Sequence, residues 1–214
     1  KTPTNGYYVG GHTMDGELLL LKLNSDGTVV FTKKFGTKNF DRLKNITSLS
    51  DGGVLAVGSS ATTRDTKDPL FKTGLGLNDI FLTRFSKDGR ELWSKKYGTQ
   101  HDDEGIDAAE ARDGSIIVVS QTLNGSDKDL NIMRIDELGN KIWLKEFKED
   151  RGLSPRKVIR LRDGNFLVSI TYKDELLKDQ IRLMKLDLRG NVINDKKIFT
   201  TYESALLDIA EFSD

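Results

Sequence analysis

Two glycine-containing markers alternate along the chain, and their spacing is the feature that most constrains the fold. The first marker reads basic, apolar, small polar, two variable residues, then glycine, and the second is an Asp-Gly dipeptide, with Asn-Gly at 5–6 as its first copy. From a first-marker glycine to the next second-marker glycine the distance is always 25 residues: 27 to 52, 89 to 114 and 139 to 164. The return interval varies, from 21 residues (6 to 27) to 37 residues (52 to 89), which places the length variation of each unit at one point.

Each unit contains four short apolar segments, named A to D here, that are typical of strands. Strand A precedes the Asp-Gly marker, strand B follows it, strand C ends in the first marker, and strand D carries aromatic residues. Asp-Gly and Asn-Gly supply the positive φ that tight hairpins need, so short A–B and C–D turns are predicted. The predicted strands are A at 42–49, 105–112, 156–162 and 205–212; B at 54–59, 115–122 and 165–171; C at 17–23, 79–85, 129–135 and 180–186; and D at 91–97 and 141–147.

Two of the A segments have a composition that favours helix. Residues 103–112 and 203–212 are rich in Ala, Leu and Glu. Both align without gaps to 43–49, which contains Thr and Ile and runs into the same hairpin marker. Agreement with the repeat outweighs local propensity, so both are predicted to be strands.

A unit of about 50 residues with four antiparallel strands predicts a β-propeller blade. The chain is therefore expected to be all-β, one propeller domain over 1–214, with units of about 6–50, 51–112, 113–162 and 163–214. Pairing of 205–212 with 6–11 would complete the first blade and close a four-bladed ring without open edges. The alternative is that these four blades belong to a larger ring of six to eight.

Composition excludes several classes of function. The 33 basic and 33 acidic residues give no net charge, which argues against a nucleic-acid partner. There are no cysteines, and no apolar run approaches the roughly 18 residues of a membrane span, so direct membrane insertion is not expected. The oligomeric state stays open.

The units resemble a repeat of secreted and lipid-anchored bacterial propellers, most of unknown function. The resemblance rests on Asp-Gly-Gly-Val-Leu-Ala-Val-Gly at 51–58, Asp-Ile-Phe-Leu at 79–82 and Trp-Ser-Lys-Lys-Tyr-Gly at 93–98. The stretch 136–143 is also similar to pyrroloquinoline-type propeller repeats, which include a periplasmic scaffold of outer-membrane protein assembly. The resemblance implies the fold and a periplasmic or cell-surface location in the bacterial envelope. It does not imply the quinone, and no cofactor is expected.

In such blades the B–C and D–A loops share one face, and here that face holds all the length variation. Variable loops on a rigid scaffold are where binding usually occurs. We therefore predict a non-enzymatic interaction or scaffold propeller that binds a protein partner through this face, with Phe71 and Leu75 as apolar anchors. An alternative is that the long loop has no partner. The candidate partner-binding residues are Arg64, Asp68, Phe71, Lys72, Leu75, Phe40, His101 and Asp102.

The second hypothesis is a glycan- or small-ligand-binding propeller, or a hydrolase with carboxylates at the central axis. The candidate carboxylates are Asp107, Glu110, Asp208 and Glu211, which do not recur as one constellation. There is no Gly-x-Ser-x-Gly motif and there are only two histidines, so triad chemistry has little support and an enzyme is the less favoured reading.

Several conspicuous residues have structural explanations. His101 and the three carboxylates after it lack defined ligand spacing, so no metal site is predicted. Asp41 and Asp103 occupy the same position of their units and are expected to accept backbone N–H bonds in the D–A turn. Trp93 and Trp143 also share a position, and packing between blades is the predicted role of both.

Deletion of residues 62–75 is expected to weaken partner binding, because this segment of the longest loop supplies both apolar anchors. A pull-down with the full chain and with the deletion variant measures the effect. Unchanged capture of the partner would overturn the prediction.

Overall fold

The computed structural model describes residues 6–14, 17–37, 40–61, 78–125, 127–149, 152–199, 204 and 208–212. By its internal contacts the chain divides into two compact parts, the N-terminal half, Lys1–Gly105, and the C-terminal half, Ile106–Asp214. All regular structure within the described ranges is β-strand. Those ranges contain no helix that is long and apolar enough to cross a membrane.

Four sheets follow one another along the chain, and all but the first have four strands. The first has the order β1-β2-β3 and the others run in simple chain order from one edge to the other. The strands are β1 (Tyr7–His12), β2 (Leu18–Leu23), β3 (Val29–Phe35), β4 (Asp41–Ser48), β5 (Val54–Ala61), β6 (Asn78–Phe85), β7 (Glu91–Tyr97), β8 (Asp102–Glu110), β9 (Ile116–Asn124), β10 (Asp127–Ile135), β11 (Lys141–Phe147), β12 (Leu153–Arg160), β13 (Phe166–Lys173), β14 (Asp179–Leu186) and β15 (Val192–Ile198).

This architecture confirms the predicted fold class, an all-β chain built of antiparallel propeller blades. β7 and β11 have the predicted D-strand bounds, and the Ala-rich segment at 103–112 lies largely in strand β8, as expected. Residues 208–212, the described part of the predicted last strand, are in neither a strand nor a helix. Residues 205–207 lie outside the described ranges, so pairing with 6–11 and closure of a ring stay predictions.

The hairpins close at glycines with left-handed backbone. Seven marker glycines have φ between 75° and 90°, a region in which a side chain is strained. In the β10–β11 turn the Asp136 N–H donates to the Asn140 carbonyl at 2.9 Å, and the Gly139 N–H donates to the Asp136 carbonyl at 3.0 Å. The seven glycines are Gly27, Gly52, Gly89, Gly114, Gly139, Gly164 and Gly190.

Two of these glycines also allow one sheet to pack closely on the next. In the N-terminal half a Cβ on Gly89 would lie 2.8 Å from the Phe31 ring, and in the C-terminal half a Cβ on Gly190 would lie 2.8 Å from the Trp143 ring. Trp143 also packs against the buried core of the C-terminal half, which confirms its predicted role between sheets. Trp93 has the Lys95 ammonium 6.0 Å from its ring centroid.

The two sequence markers contact one another through charge. The aspartate of each A–B turn pairs with the basic residue of strand C. The three pairs join Asp51 to Arg84 at 2.9 Å, Asp113 to Arg134 at 2.6 Å and Asp163 to Lys185 at 2.7 Å. The hydrogen bond from Lys185, followed by the Asn165 backbone N–H, lowers the pKa of Asp163 to about 2.

Replacing Lys185 with Met is expected to raise the pKa of Asp163 from about 2 toward its ordinary value, because the largest cause of the depression is removed. A depressed pKa means that folding favours the carboxylate, so the pair stabilises the protein above pH ~4 and this contribution is lost as the pH falls toward ~2. Titration of the Asp163 carboxyl carbon by NMR measures the change. Lys196→Met, on exposed β15, is the control and should leave that pKa unchanged.

Candidate functional site

Five of the eight predicted partner-binding residues, Arg64, Asp68, Phe71, Lys72 and Leu75, lie outside the described residues. Phe40, His101 and Asp102 are described. His101 and Asp102 are adjacent in sequence, and no hydrogen bond or ion pair between described residues joins either of them to Phe40.

Phe40 is 65% exposed, with the Arg42 guanidinium carbon 5.4 Å from its ring centroid. His101 is half-buried, and its backbone N–H donates to Thr99 Oγ1 at 3.1 Å. Asp102 Oδ1 accepts the backbone N–H of Asn78 at 3.0 Å and its side-chain amide at 3.3 Å. Of the three, Phe40 is the one that presents a large free apolar surface.

The aspartates of the D–A turns are structural, as predicted. Asp103 is buried and its Oδ2 accepts the backbone N–H of Thr99 at 2.6 Å and the Thr99 hydroxyl at 2.9 Å. Asp41 makes the same two kinds of contact with Thr37. Each carboxylate holds its turn by satisfying a backbone donor and a hydroxyl four residues earlier.

The three acidic side chains after His101 are engaged by other residues of the N-terminal half. Glu104 pairs with Lys44 at 2.8 Å, while Asp102 and Asp103 bind Asn78 and Thr99 as described above. Over the described ranges no three His, Asp or Glu side chains come together as metal ligands.

Three of the four carboxylates that the sequence suggested for an axial site make contacts within the C-terminal half. Asp107 is buried and its Oδ2 accepts the Val158 backbone N–H at 2.9 Å. Lys157 Nζ lies 3.9 Å from an oxygen of Asp107 and 3.9 Å from one of Asp208. Glu211 Oε2 accepts the backbone N–H of Arg162 at 3.0 Å. These contacts join segment 208–212 to Lys157 of β12 and to Arg162, which follows that strand.

A different set of residues forms a concave site. An open groove of about 680 Å³ lies where the β13–β14 turn meets the end of β15, next to the residues that follow β11. We call it the loop-end groove, because it lies at the B–C and D–A end of these sheets. Its lining is Lys148, Glu149, Tyr172, Lys173, Asp174, Glu175, Leu176, Lys197 and Phe199.

The β13–β14 turn has the backbone of a glycine hairpin with a leucine in the glycine position. The Asp174 N–H donates to the Lys178 carbonyl at 3.0 Å and the Leu177 N–H to the Asp174 carbonyl at 3.0 Å, the bonding seen in the β10–β11 turn. Leu177 has φ 61°, and within the described ranges it is the one non-glycine residue with positive φ. Leu176 is 74% and Leu177 64% exposed, so this strain is not offset by burial in the chain itself.

Asp174 holds this turn in place. Its Oδ1 accepts the backbone N–H groups of Leu176 at 2.9 Å and Lys178 at 3.0 Å, and its Oδ2 accepts the Gln180 amide at 3.1 Å. The hydrogen bond from the Lys178 backbone is the largest cause lowering the pKa of this carboxyl. Both oxygens are therefore engaged at neutral pH.

Tyr172 forms the floor of the loop-end groove. It is 4% exposed, its ring meets the Phe199 ring edge to face at 6.4 Å, and the Lys197 ammonium lies 4.8 Å from its centroid. The Tyr172 hydroxyl is buried without a hydrogen-bond partner among the described residues. Burial, with Asp174 and Glu149 nearby, raises the pKa of this phenol, so the hydroxyl keeps its proton. A buried O–H donor without an acceptor is costly.

An ion-pair network fixes the wall opposite the turn. Arg182 donates to both carboxylate oxygens of Asp195, through Nε at 2.8 Å and Nη2 at 2.5 Å. Its Nη1 donates to Glu149 Oε1 at 2.6 Å, and Glu149 Oε2 lies 3.3 Å from Lys197 Nζ. Hydrogen bonding by Arg182 is the largest cause lowering the pKa of Asp195. The network ties Glu149, two residues after β11, to Arg182 of β14 and to Asp195 and Lys197 of β15, and so holds this side of the groove in place.

Sequence reasoning missed the groove because its residues differ in type from those at the equivalent positions of the other repeat units. A signal was nevertheless present in the turn. Asp-Glu-Leu-Leu-Lys at 174–178 matches Asp-Glu-Leu-Gly-Asn at 136–140, with a leucine where the hairpin requires positive φ. The Asn-Gly stretch at 124–125 lies at the B–C turn, because β9 ends at Asn124 and β10 begins at Asp127.

Comparison with known proteins supports the fold and leaves the activity open. No protein-family model matches the chain, and no curated protein matches it. A protein of unknown function from Bacteroides caccae is similar in structure, with a TM-score of 0.50 and 12% identity over 90% of this chain and 73% of its own. One from Dyadobacter fermentans gives a TM-score of 0.39 at 13% identity over 93% of this chain and 85% of its own. The first likeness is one of fold alone.

Leu177→Gly is expected to raise the free energy of unfolding by about 0.5–1 kcal/mol. Relief of the left-handed strain stabilises the folded state by about 1–2 kcal/mol. The greater conformational freedom of glycine in the unfolded chain lowers this gain by about 0.5–1 kcal/mol. Urea unfolding measures the change. The matched control, Leu176→Gly, removes a neighbouring exposed leucine whose φ is not positive and should lower stability instead. Destabilisation by both variants would contradict the strain at Leu177.

Proposed function

We propose that this chain is a non-enzymatic interaction module that binds a protein partner at the loop end of its sheets, with the loop-end groove as the contact. The observation that carries the proposal is Leu177, held in a strained left-handed conformation that exposes two adjacent leucines beside the groove. Strain that is retained without internal benefit is a mark of functional sites.

The apolar surface around the groove suits a protein partner. Leu176, Leu177 and Phe199 are 74%, 64% and 70% exposed, and full burial of each side chain is worth about 1.5–3 kcal/mol. The charged residues around them resemble the polar rim of an interface, and the Arg182 network presents the groove in one shape. Preorganisation of this kind lowers the entropy cost of binding.

The proposal includes a scaffold role in the bacterial envelope, as implied by the resemblance of the units to secreted propellers. Glycan binding is the second candidate. Its support is the exposed Phe199 ring next to charged hydrogen-bonding side chains, an arrangement on which a sugar face can stack. The aliphatic pair at 176 and 177 favours a protein, because leucine offers a sugar neither a planar face nor a hydrogen bond.

Site-specific photo-crosslinking in the organism of origin tests the proposed function. A p-benzoyl-phenylalanine residue placed at position 176 or 199 is expected to give a discrete protein adduct, since both positions line the groove. The matched control is position 142, where Ile142 is 49% exposed on β11 outside the groove. Leu177→Gly combined with crosslinker at 199 should reduce the adduct. Absence of adducts at 176 and 199, or equal adducts at 142, would refute the proposal.

A further inference from the structure

We infer that Tyr172 is the residue that selects the ligand of the loop-end groove, by donating its hydroxyl hydrogen to a carbonyl or carboxylate oxygen that lies next to an apolar side chain. The inference rests on the proposed function and names the chemistry that the groove recognises. The ligand class is an extended polypeptide segment whose apolar side chain occupies the groove.

The first step of the argument is the state of the hydroxyl. Tyr172 is 4% exposed and its Oη has no partner among the described residues. By contrast, the hydroxyl of the half-buried Tyr8, in the N-terminal half, donates to the Gly52 carbonyl at 2.8 Å. Because a buried O–H regains most of the lost hydrogen-bond energy when an acceptor arrives, Tyr172 favours ligands that carry one.

The second step is access to this hydroxyl. Phe199 meets the Tyr172 ring by an edge-to-face contact and is otherwise 70% exposed. A ligand side chain that replaces the Phe199 ring against Tyr172 would recover the same apolar contact and bring its neighbouring carbonyl toward Oη. The groove therefore requires an apolar group and an acceptor close together, as in every apolar residue of an extended polypeptide.

The third step is the supply of other donors and acceptors in the lining. Both oxygens of Asp174 are engaged, by two backbone donors of the turn and the Gln180 amide of β14, and both oxygens of Glu149 are engaged by Arg182 and Lys197. Among the described residues, the acidic oxygens of Asp129 and Glu146 lie 3.5 and 3.6 Å from Lys148 Nζ, beyond good hydrogen-bond distance, and this ammonium carries three N–H donors. Glu175 is the exposed acid on the rim. The lining of the groove thus includes donor capacity besides Tyr172, which matches a ligand rich in acceptors.

The source of the acceptor is either an internal backbone carbonyl or the carboxylate at a chain terminus. Two synthetic peptides distinguish them: acetyl-Ala-Ser-Ala-Leu-Phe as the free acid and the same peptide as its C-terminal amide. Chitotriose is the third probe and represents the glycan alternative. Backbone amide shifts of 174–178 and 199 in NMR titrations of the full chain report binding at the groove.

At least one peptide is expected to shift these resonances, and Tyr172→Phe is expected to weaken its binding about tenfold, the loss of one buried hydrogen bond. Tighter binding of the acid identifies a chain terminus, and equal binding identifies an internal carbonyl. Tyr172→Phe should also leave the denaturation midpoint unchanged or raise it, because it removes an unpartnered hydroxyl. A purely structural tyrosine would lose stability instead.

Tyr8→Phe is the matched control. It removes a hydroxyl that has a partner, so it should lower the denaturation midpoint and leave peptide binding unchanged. Equal peptide affinity in wild type and Tyr172→Phe overturns the inference, as does a groove that responds to chitotriose and to neither peptide. If neither peptide binds while crosslinks at 176 and 199 persist, the inference fails and the proposed function stands. If the crosslinks are absent as well, both fail.

Discussion

A left-handed residue at the close of each tight hairpin is the constraint on which the rest of the structure depends. Glycine meets it at seven marker positions, and at each the chain reverses and lays one strand beside the last. At Gly89 and Gly190 the absence of a side chain also admits an aromatic ring of the preceding sheet. Backbone conformation and sheet packing thus require the same residue type. The aspartates of the A–B turns then bind the basic residues of strand C and lock the hairpins to the sheet.

Because the turns are local, most of the fold could be predicted from sequence. Asp-Gly dipeptides and the short apolar segments between them located the strands, and alignment between repeat units identified β8 as a strand despite its alanines. Asp41 and Asp103 were assigned to their turns on the same grounds. The charge pairs between markers were not predicted, although both partners were identified. Pairing between residues 21 to 33 positions apart depends on sheet register, which the spacing of the markers alone does not determine.

The candidate site could not be predicted in the same way. Reasoning from recurrence directs attention to the longest loop, whereas the groove combines residues that depart from the pattern. Tyr172 replaces the small polar residues Ser60 and Thr122 at the equivalent position of strand B, and Leu177 replaces a hairpin glycine. Arg182 is brought to Glu149 and Asp195 by folding, across 33 and 13 positions of sequence. The repeat unit 163–214 thus carries residues of a different type at positions that the other repeat units share, and these residues give it a surface of its own.

The likeness between the turns at 136–140 and 174–178 has a consequence for engineering. The two five-residue segments share hydrogen-bond geometry and differ in what they present to solvent. Because the same backbone hydrogen bonds close both turns, we expect an exchange of the two segments to keep the adjoining strand pairs, Ile135 with Lys141 and Lys173 with Asp179. The side chains that such a turn exposes are therefore separable from the backbone hydrogen bonds that close it, at the scale of a single hairpin.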